Sequence, residues 1–256
     1  MPSTVTTRRS TSPSPPTRQA VLVTGGSRGI GRAICLAFGK AGWEVGVHCR
    51  TRLTEAEQTA GSVKDAGGDG FTLQGDLRDP AQVAAVFDRF MARCGRLDAL
   101  ICNAGETVSS LMLRLKSEQW QSVIETNLTG TFHCLRASAA ILLKQRQGSI
   151  VIVGSYAAYQ GRAGQAAYAA SKAGLLGLMK TAAKEWGPAN VRVNAIFPGW
   201  HRTDMSRERM RDETEFTDHL LRRASDLTEV ARTIVHLATL SGVSGQVWNL
   251  DSRIVI

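Results

Sequence analysis

Ala20-Val-Leu-Val-Thr24 runs directly into Gly25-Gly-Ser-Arg-Gly-Ile-Gly31, and the reading of that join decides the fold. Ala20–Thr24 is a short apolar run of strand character. Past the glycines, Ala33, Ile34, Leu36, Ala37 and Phe38 follow a helical pattern. The glycines therefore sit at a strand-to-helix turn. There they permit tight curvature and let a pyrophosphate come close to a helix N-terminus. The spacing is G-x-x-x-G-x-G rather than G-x-G-x-x-G, and a glycine-rich turn without a ligand is the alternative.

Outward from this join, strand and helix patterns alternate. A second strand, Trp43–Cys49, ends at Arg50. Helix-like residues 54–66 lead to a strand at Phe71–Gln74 and then to Asp76-Leu77. Asp79-Pro80 opens the next helix as an N-cap and first helical residue. Leu97–Cys102 is a strand running into Asn103-Ala-Gly105. A long helical pattern over 117–144 holds Asn127. The strand Ser149–Ser155, a helix from about 165 to 187 and the strand Val191–Phe197, closed by Pro198-Gly199, follow. A helix over 226–240 opens on an acidic first turn, and Gln246–Leu250 reads as the last strand. This alternation predicts an α/β fold: one doubly wound, parallel, Rossmann-type sheet with helices on both faces, spanning 20–256. Residues 200–223 are polar and charge-rich and read as a lid-like excursion. Residues 1–19 are Ser, Thr, Pro and Arg with almost no large apolar side chain, which predicts a disordered tail. An acid-free, Arg-containing start also resembles an organelle transit peptide, but it shows no amphipathic period.

The chain has 256 residues, 43% of them hydrophobic and 21% charged, enough for one large domain with a buried core. No apolar run approaches the roughly 18 residues that span a bilayer. The formal charge of +9 suits anionic ligands or acidic partners. The basic residues are scattered, some of them in the tail, with no aromatic-interleaved stretch, so nucleic-acid binding is not expected. Five cysteines without a C-x-x-C spacing point to reduced thiols and a cytoplasmic setting. Neither they nor the five histidines have metal-ligand spacing, so no metal is expected.

Several positions carry candidate chemistry. The second strand ends in His48-Cys49-Arg50, with no acid where NAD-selective folds hold the ribose 2′-hydroxyl. Arg28 lies in the glycine turn, and two guanidiniums suit a 2′-phosphate, which favours NADPH over NADH. Asp76 is placed to accept from an adenine amino group, and the small residues after Asn103 let a ligand lie against the backbone. Asn127 is disfavoured inside a helix and wants a reason. Tyr168 and Lys172 lie one helical turn apart. A close ammonium lowers a phenol pKa from about 10, so the tyrosine can exchange a proton near neutrality. Alone, this pair is also ordinary helix surface.

The ordered set TGGSRGIG (24–31), Asp76, NAG (103–105), Asn127, Ser155, YAASK (168–172) and PG (198–199) resembles the short-chain dehydrogenase/reductases over roughly residues 20–250. The resemblance implies a general acid at Tyr168 and, at Lys172, a lysine that lowers the tyrosine pKa and holds the nicotinamide ribose. It implies a carbonyl-binding hydroxyl at Ser155 and, at Asn127, a residue holding a water that links Lys172 to solvent. Implied cofactor contacts are Gly25, Ser27, Arg28, Gly29, Ile30, Gly31, Arg50, Asp76, Leu77, Asn103, Ala104, Gly105, Tyr168, Lys172, Pro198, Gly199 and Thr203. Within the family the likeness is to 3-oxoacyl-(acyl-carrier-protein) reductases, through residues 111–120, 164–168, 172–176 and 198–205. It implies NADPH-dependent reduction of a 3-oxoacyl thioester on acyl carrier protein or CoA, and a homotetramer. His133, Arg136 and Lys184 are candidate docking cations for the acidic carrier. Reduction of another ketone (a polyketide intermediate, acetoacetyl-CoA, a sugar or a steroid) and non-catalytic NADP(H) sensing stay open. Two departures stand out. Glu106 replaces a residue usually apolar, and Asp251-Ser-Arg253 stands where the family usually has a glycine pair.

Overall fold

A computed structural model describes residues 18–201 and 216–254. The first half alternates β1 (Ala20–Val23), α1 (Gly29–Lys40), β2 (Glu44–Cys49), α2 (Leu53–Asp65), β3 (Asp69–Gln74), α3 (Pro80–Cys94) and β4 (Ala99–Cys102). Then come α4 (Ser117–Ile124), α5 (Gly130–Gln145), β5 (Gly148–Val153), α6 (Ala157–Gln160), α7 (Ala166–Trp186), β6 (Val191–Phe197), α8 (Leu227–Thr239) and β7 (Val247–Asn249). The strands form one sheet in the order β3-β2-β1-β4-β5-β6-β7, and every pair is parallel.

Both sheet faces are covered, so the strands read as apolar runs rather than alternating ones. The strand period of two still sorts the side chains. Ala20 and Leu22 point into a core shared with Phe90, Leu135, Leu175 and Met179 of α3, α5 and α7. Val21 and Val23 point the other way, toward Ile34 and Phe38 of α1 and Ile234 of α8. The chain winds outward from β1 in one direction and from β4 in the other. Between the carboxyl ends of these neighbours lies the switch point where such folds bind ligands.

Local chemistry sets the helix starts. Asp79 caps α3 by accepting from the backbone N–H groups of Ala81 and Gln82, and Asp226 caps α8 through Thr228 and Glu229. α1 differs: Arg28 at its N-cap makes no side-chain capping bond, and its first turn carries no acid.

The continuous helix expected over 117–144 is interrupted. A π-helical turn over Glu125–Thr129 separates α4 from α5, with the Gly130 N–H reaching back to the Glu125 carbonyl. Gly130 sits against Leu77, where an added Cβ would lie 3.0 Å from that residue's Cβ. Within the excursion expected at 200–223, residues 202–215 lie outside the described residues, Thr203 among them; so do residues 1–17 of the tail.

Candidate active site

One cleft of about 440 Å³ opens at the switch point. Gly25, Ser27, Arg28, Gly29, Ile30 and Gly31 line one wall, with Arg50, Asp76 and Leu77 at one end. Asn103, Ala104 and Gly105 form the facing wall. Ser155, Tyr168, Lys172, Pro198 and Gly199 line the other end. These residues come from seven separate stretches of sequence and meet because the carboxyl ends of parallel strands share one edge.

The glycine turn is braced from three sides. Thr24 Oγ1 accepts from the backbone N–H groups of Asn103 (2.9 Å) and Ala104 (3.1 Å). Asn103 returns both amide hydrogens, to the carbonyls of Thr24 (3.0 Å) and Gly25 (3.1 Å). Its amide donors therefore hold the wall of the cleft rather than point at a ligand. Thr59 of α2 donates to the Ser27 carbonyl at 3.2 Å. Gly25 has φ of +64°, and an added Cβ there would lie 2.9 Å from Ala104 Cα. Glycine is thus required both by backbone sign and by contact.

His48 was not singled out from the sequence, yet it clasps this turn. Its Nδ1 accepts from the Gly25 N–H at 3.3 Å, and its Nε2 donates to the Gly75 carbonyl at 3.0 Å. Burial pushes its pKa down to about 4, so the ring is neutral and its tautomer is set by these two bonds.

Asp76 is held in a forked ion pair by Arg78, whose Nε lies 3.0 and 2.9 Å from the two carboxylate oxygens. That guanidinium is the main reason its pKa falls below the ordinary carboxylate value. The cleft's basic end carries Arg28, Arg50 and Arg52, with Glu55 bonded to Arg52 at 2.9 Å.

At the other end, Lys172 is 4% exposed and its Nζ donates to the Val153 carbonyl at 2.7 Å. The same ammonium lies 5.7 Å from the centre of the Tyr168 ring. Burial lowers its pKa to about 8. Ser155 follows Gly154, where an added Cβ would strike the Phe197 ring at 2.6 Å. The Ser155 Oγ accepts from the Ala157 N–H at 3.2 Å.

Asn127 does not line the cleft. It is fully buried one layer behind it, in the π-helical turn. Its Oδ1 accepts from the Glu106 N–H at 2.8 Å, and its amide donates to the Glu106 carbonyl at 2.9 Å and to Ser171 Oγ at 3.0 Å. The asparagine therefore clamps the chain just after the NAG turn to the helix carrying Tyr168 and Lys172. With both amide hydrogens spent, what it offers a water is acceptor capacity on Oδ1 and on its own carbonyl.

The cleft fits a dinucleotide. The uncapped, acid-free N-terminus of the 12-residue helix α1 faces it, which favours a pyrophosphate. The hydroxyls of Thr107 and Thr126 are buried without a hydrogen-bond partner, and both residues line the same cleft. Buried polar groups of this kind are ordinarily satisfied, so they point to a polar ligand. Neither was evident in the sequence, because nothing marks a threonine that faces a cavity.

Known proteins agree with this geometry. The family model for short chain dehydrogenases matches residues 19–214. The chain belongs to the short-chain dehydrogenase family. A protein of Synechocystis sp. named 3-oxoacyl-[acyl-carrier-protein] reductase is 39% identical over 94% of this chain and 98% of its own. A protein of the same name from Staphylococcus aureus is 37% identical over 86% of this chain and 91% of its own. A crystal structure of a short-chain alcohol dehydrogenase from Sinorhizobium meliloti superposes with a TM-score of 0.87 at 32% identity, covering 91% of this chain and 95% of that one. This short-chain dehydrogenase is thus an oxidoreductase acting on the CH–OH/C=O group with a nicotinamide cofactor. Among the described residues, no helix is long and apolar enough to cross a membrane, and no cluster of His, Cys, Asp or Glu has the grouping of a metal site.

Proposed function

We propose that the protein uses NADPH to reduce the ketone of a 3-oxoacyl thioester, on acyl carrier protein or CoA, to the 3-hydroxyacyl thioester. The observation that carries this reading is the convergence of Ser155, Tyr168 and Lys172 at one end of a cleft whose other end is ringed by arginines. The names of the Synechocystis and Staphylococcus relatives support the thioester substrate.

A nicotinamide cofactor held along the glycine turn would supply the hydride for the carbonyl carbon. Tyr168 gives its phenolic proton to the carbonyl oxygen, which takes up the electron pair released from the C=O bond. Ser155 donates a hydrogen bond to the same oxygen as negative charge grows there. Lys172, charged below about pH 8, makes the phenol a stronger acid by favouring the phenolate. Asn127 fixes the spacing between the NAG turn and α7, and its remaining acceptors hold the water that resupplies the proton.

NADPH rather than NADH follows from Arg28 and Arg50 at the ribose end. Asp76 is forked onto Arg78 at the same end of the cleft, and its remaining lone pairs are the proposed acceptors for an adenine amino group. Arg136 and Lys184 are exposed and remain docking candidates for an acidic carrier, within a cytoplasmic homotetramer. His133 is half-buried with its Nδ1 3.0 Å from the Leu77 carbonyl, and it stays a third candidate. NADPH oxidation with acetoacetyl thioesters tests the reading. Turnover on a carrier-bound or CoA-bound substrate supports it, and inertness toward both contradicts it.

A further inference from the structure

The substrate end of the cleft has a wall that the catalytic set does not use, formed by Tyr156, Asp251 and Arg253. Arg253 lies over the Tyr156 ring, with its guanidinium carbon 4.0 Å from the ring centre. Its Nε is 3.0 and 3.1 Å from the two oxygens of Asp251, and its Nη2 closes the fork. The Asp251 side chain is 0% exposed and that of Arg253 only 10%. Tyr156 in turn donates from its hydroxyl to the Ile254 carbonyl at 3.0 Å.

This wall is fixed from behind. The Leu220 N–H donates to the Ser252 carbonyl at 3.1 Å, which ties the segment after residue 216 to the C-terminal strap. Asn249 Nδ2 donates to the carbonyls of Asp251 and Arg253, both at 3.2 Å. Among the described residues, the charged and titratable groups facing Arg253 are Asp251, Tyr156 and, at 3.8 Å, Asp218; His219 lies 3.4 Å from Asp251 on its far side. The guanidinium's charge is thus answered within the protein, so an acidic substituent gains little there.

We propose that Arg253 is a specificity-determining residue: locked to Asp251 against Tyr156, it closes the substrate end and restricts the ketone to short substituents on that side. Tyr156 follows Ser155 directly in the chain, and it lines the same cleft as Ser155 and Tyr168, so this wall is the one proposed to meet one substituent of the ketone. In an open apolar channel, each further buried methylene raises binding by about fourfold. Here a longer chain must instead displace a buried, doubly bonded ion pair, which is strongly unfavourable. A short acyl group avoids that cost. The proposal rests on the ketone-reduction reading above.

The test is a chain-length series: kcat/KM for 3-oxoacyl-CoA thioesters of four, six, eight and ten carbons. It is run with the native protein, with Arg253→Met and with the double variant Asp251→Asn, Arg253→Met. The double variant guards against a fold weakened by a lone buried carboxylate. The ratio of ten-carbon to four-carbon activity is taken within each preparation, so loss of folded protein cancels. The native ratio is expected to fall below one, and the double variant is expected to raise it by about tenfold or more. Arg253→Lys keeps the charge without the planar fork and falls between them. A native ratio that climbs with length, or a ratio unchanged in both Met variants, overturns the proposal while leaving ketone reduction intact. Inertness toward every thioester overturns both.

Discussion

The Lys172 ammonium donates to the Val153 carbonyl at 2.7 Å, joining the helix that carries Tyr168 to the last residue of β5, two positions before Ser155. This one bond ties the helix of the proposed proton donor to the strand that leads into the proposed carbonyl-binding hydroxyl. It is also made at a cost, because the ammonium is buried and, among the described residues, no carboxylate is recorded as acting on it.

That cost can be measured. The folded pKa of Lys172 is about 8, against an ordinary value of 10.5. Between those values the unfolded chain holds a proton that the folded chain has released. Stability therefore rises as pH climbs from about 8 to about 10.5, and below pH 8 the buried charge costs the fold about 3 kcal/mol. Lys172→Met should melt several degrees higher than the native protein at pH 7 while losing nearly all reductase activity. Native turnover should decline above about pH 8 as the ammonium is lost. A lower melting temperature in the variant would contradict this account of the burial.

His48 makes a prediction of the same slope in a lower pH window. Its folded pKa of about 4 lies below its ordinary 6.5, so the folded chain refuses a proton that the unfolded chain accepts between them. Stability should fall by about 3 kcal/mol as pH drops from 6.5 to 4. His48→Leu leaves the Gly25 N–H and the Gly75 carbonyl without their partner, costing about 2–3 kcal/mol at neutral pH. Urea midpoints at pH 7.5 and pH 5 compare the two proteins. The variant should be weaker at pH 7.5 and lose less between the two, with a raised KM for the cofactor.

Much of this was legible in the sequence, for reasons tied to particular residues. Asp79 caps its helix where the Asp-Pro pair said it would, since an N-cap needs only local geometry; Asp226, read as part of an acidic first turn, proves to be the N-cap of α8. The glycine turn was legible because only glycine tolerates the backbone at Gly25. The disfavoured Asn127 did have a reason, but a different one from a plain helix residue: a π-helical turn and three bonds to groups 21 and 44 residues away. His48, Thr107, Thr126 and the Asp251–Arg253 pair stayed hidden. Their roles depend on partners brought close only by the sheet order, such as Tyr156 and Ile254, which are 98 positions apart.

The two arginines proposed to meet a 2′-phosphate predict cofactor choice. Arg50 is exposed at the end of β2, and Arg28 sits at the N-cap of α1, both lining the cleft. Arg50→Asp removes a cation and adds a charge that repels a 2′-phosphate. The ratio of kcat/KM for NADPH over NADH should drop by about tenfold to a hundredfold, the worth of one charged hydrogen bond. An unchanged ratio would remove Arg50 from the phosphate site.

The central claim is that Tyr168 delivers the proton, and Tyr168→Phe addresses it most directly. The substitution removes one hydroxyl and keeps the ring beside Lys172. NADPH oxidation with acetoacetyl-CoA is followed alongside a fluorescence titration of NADPH binding. Turnover should fall by about a hundredfold to ten-thousandfold, with NADPH affinity nearly unchanged. Turnover at the native rate would contradict the assignment of Tyr168 as the acid.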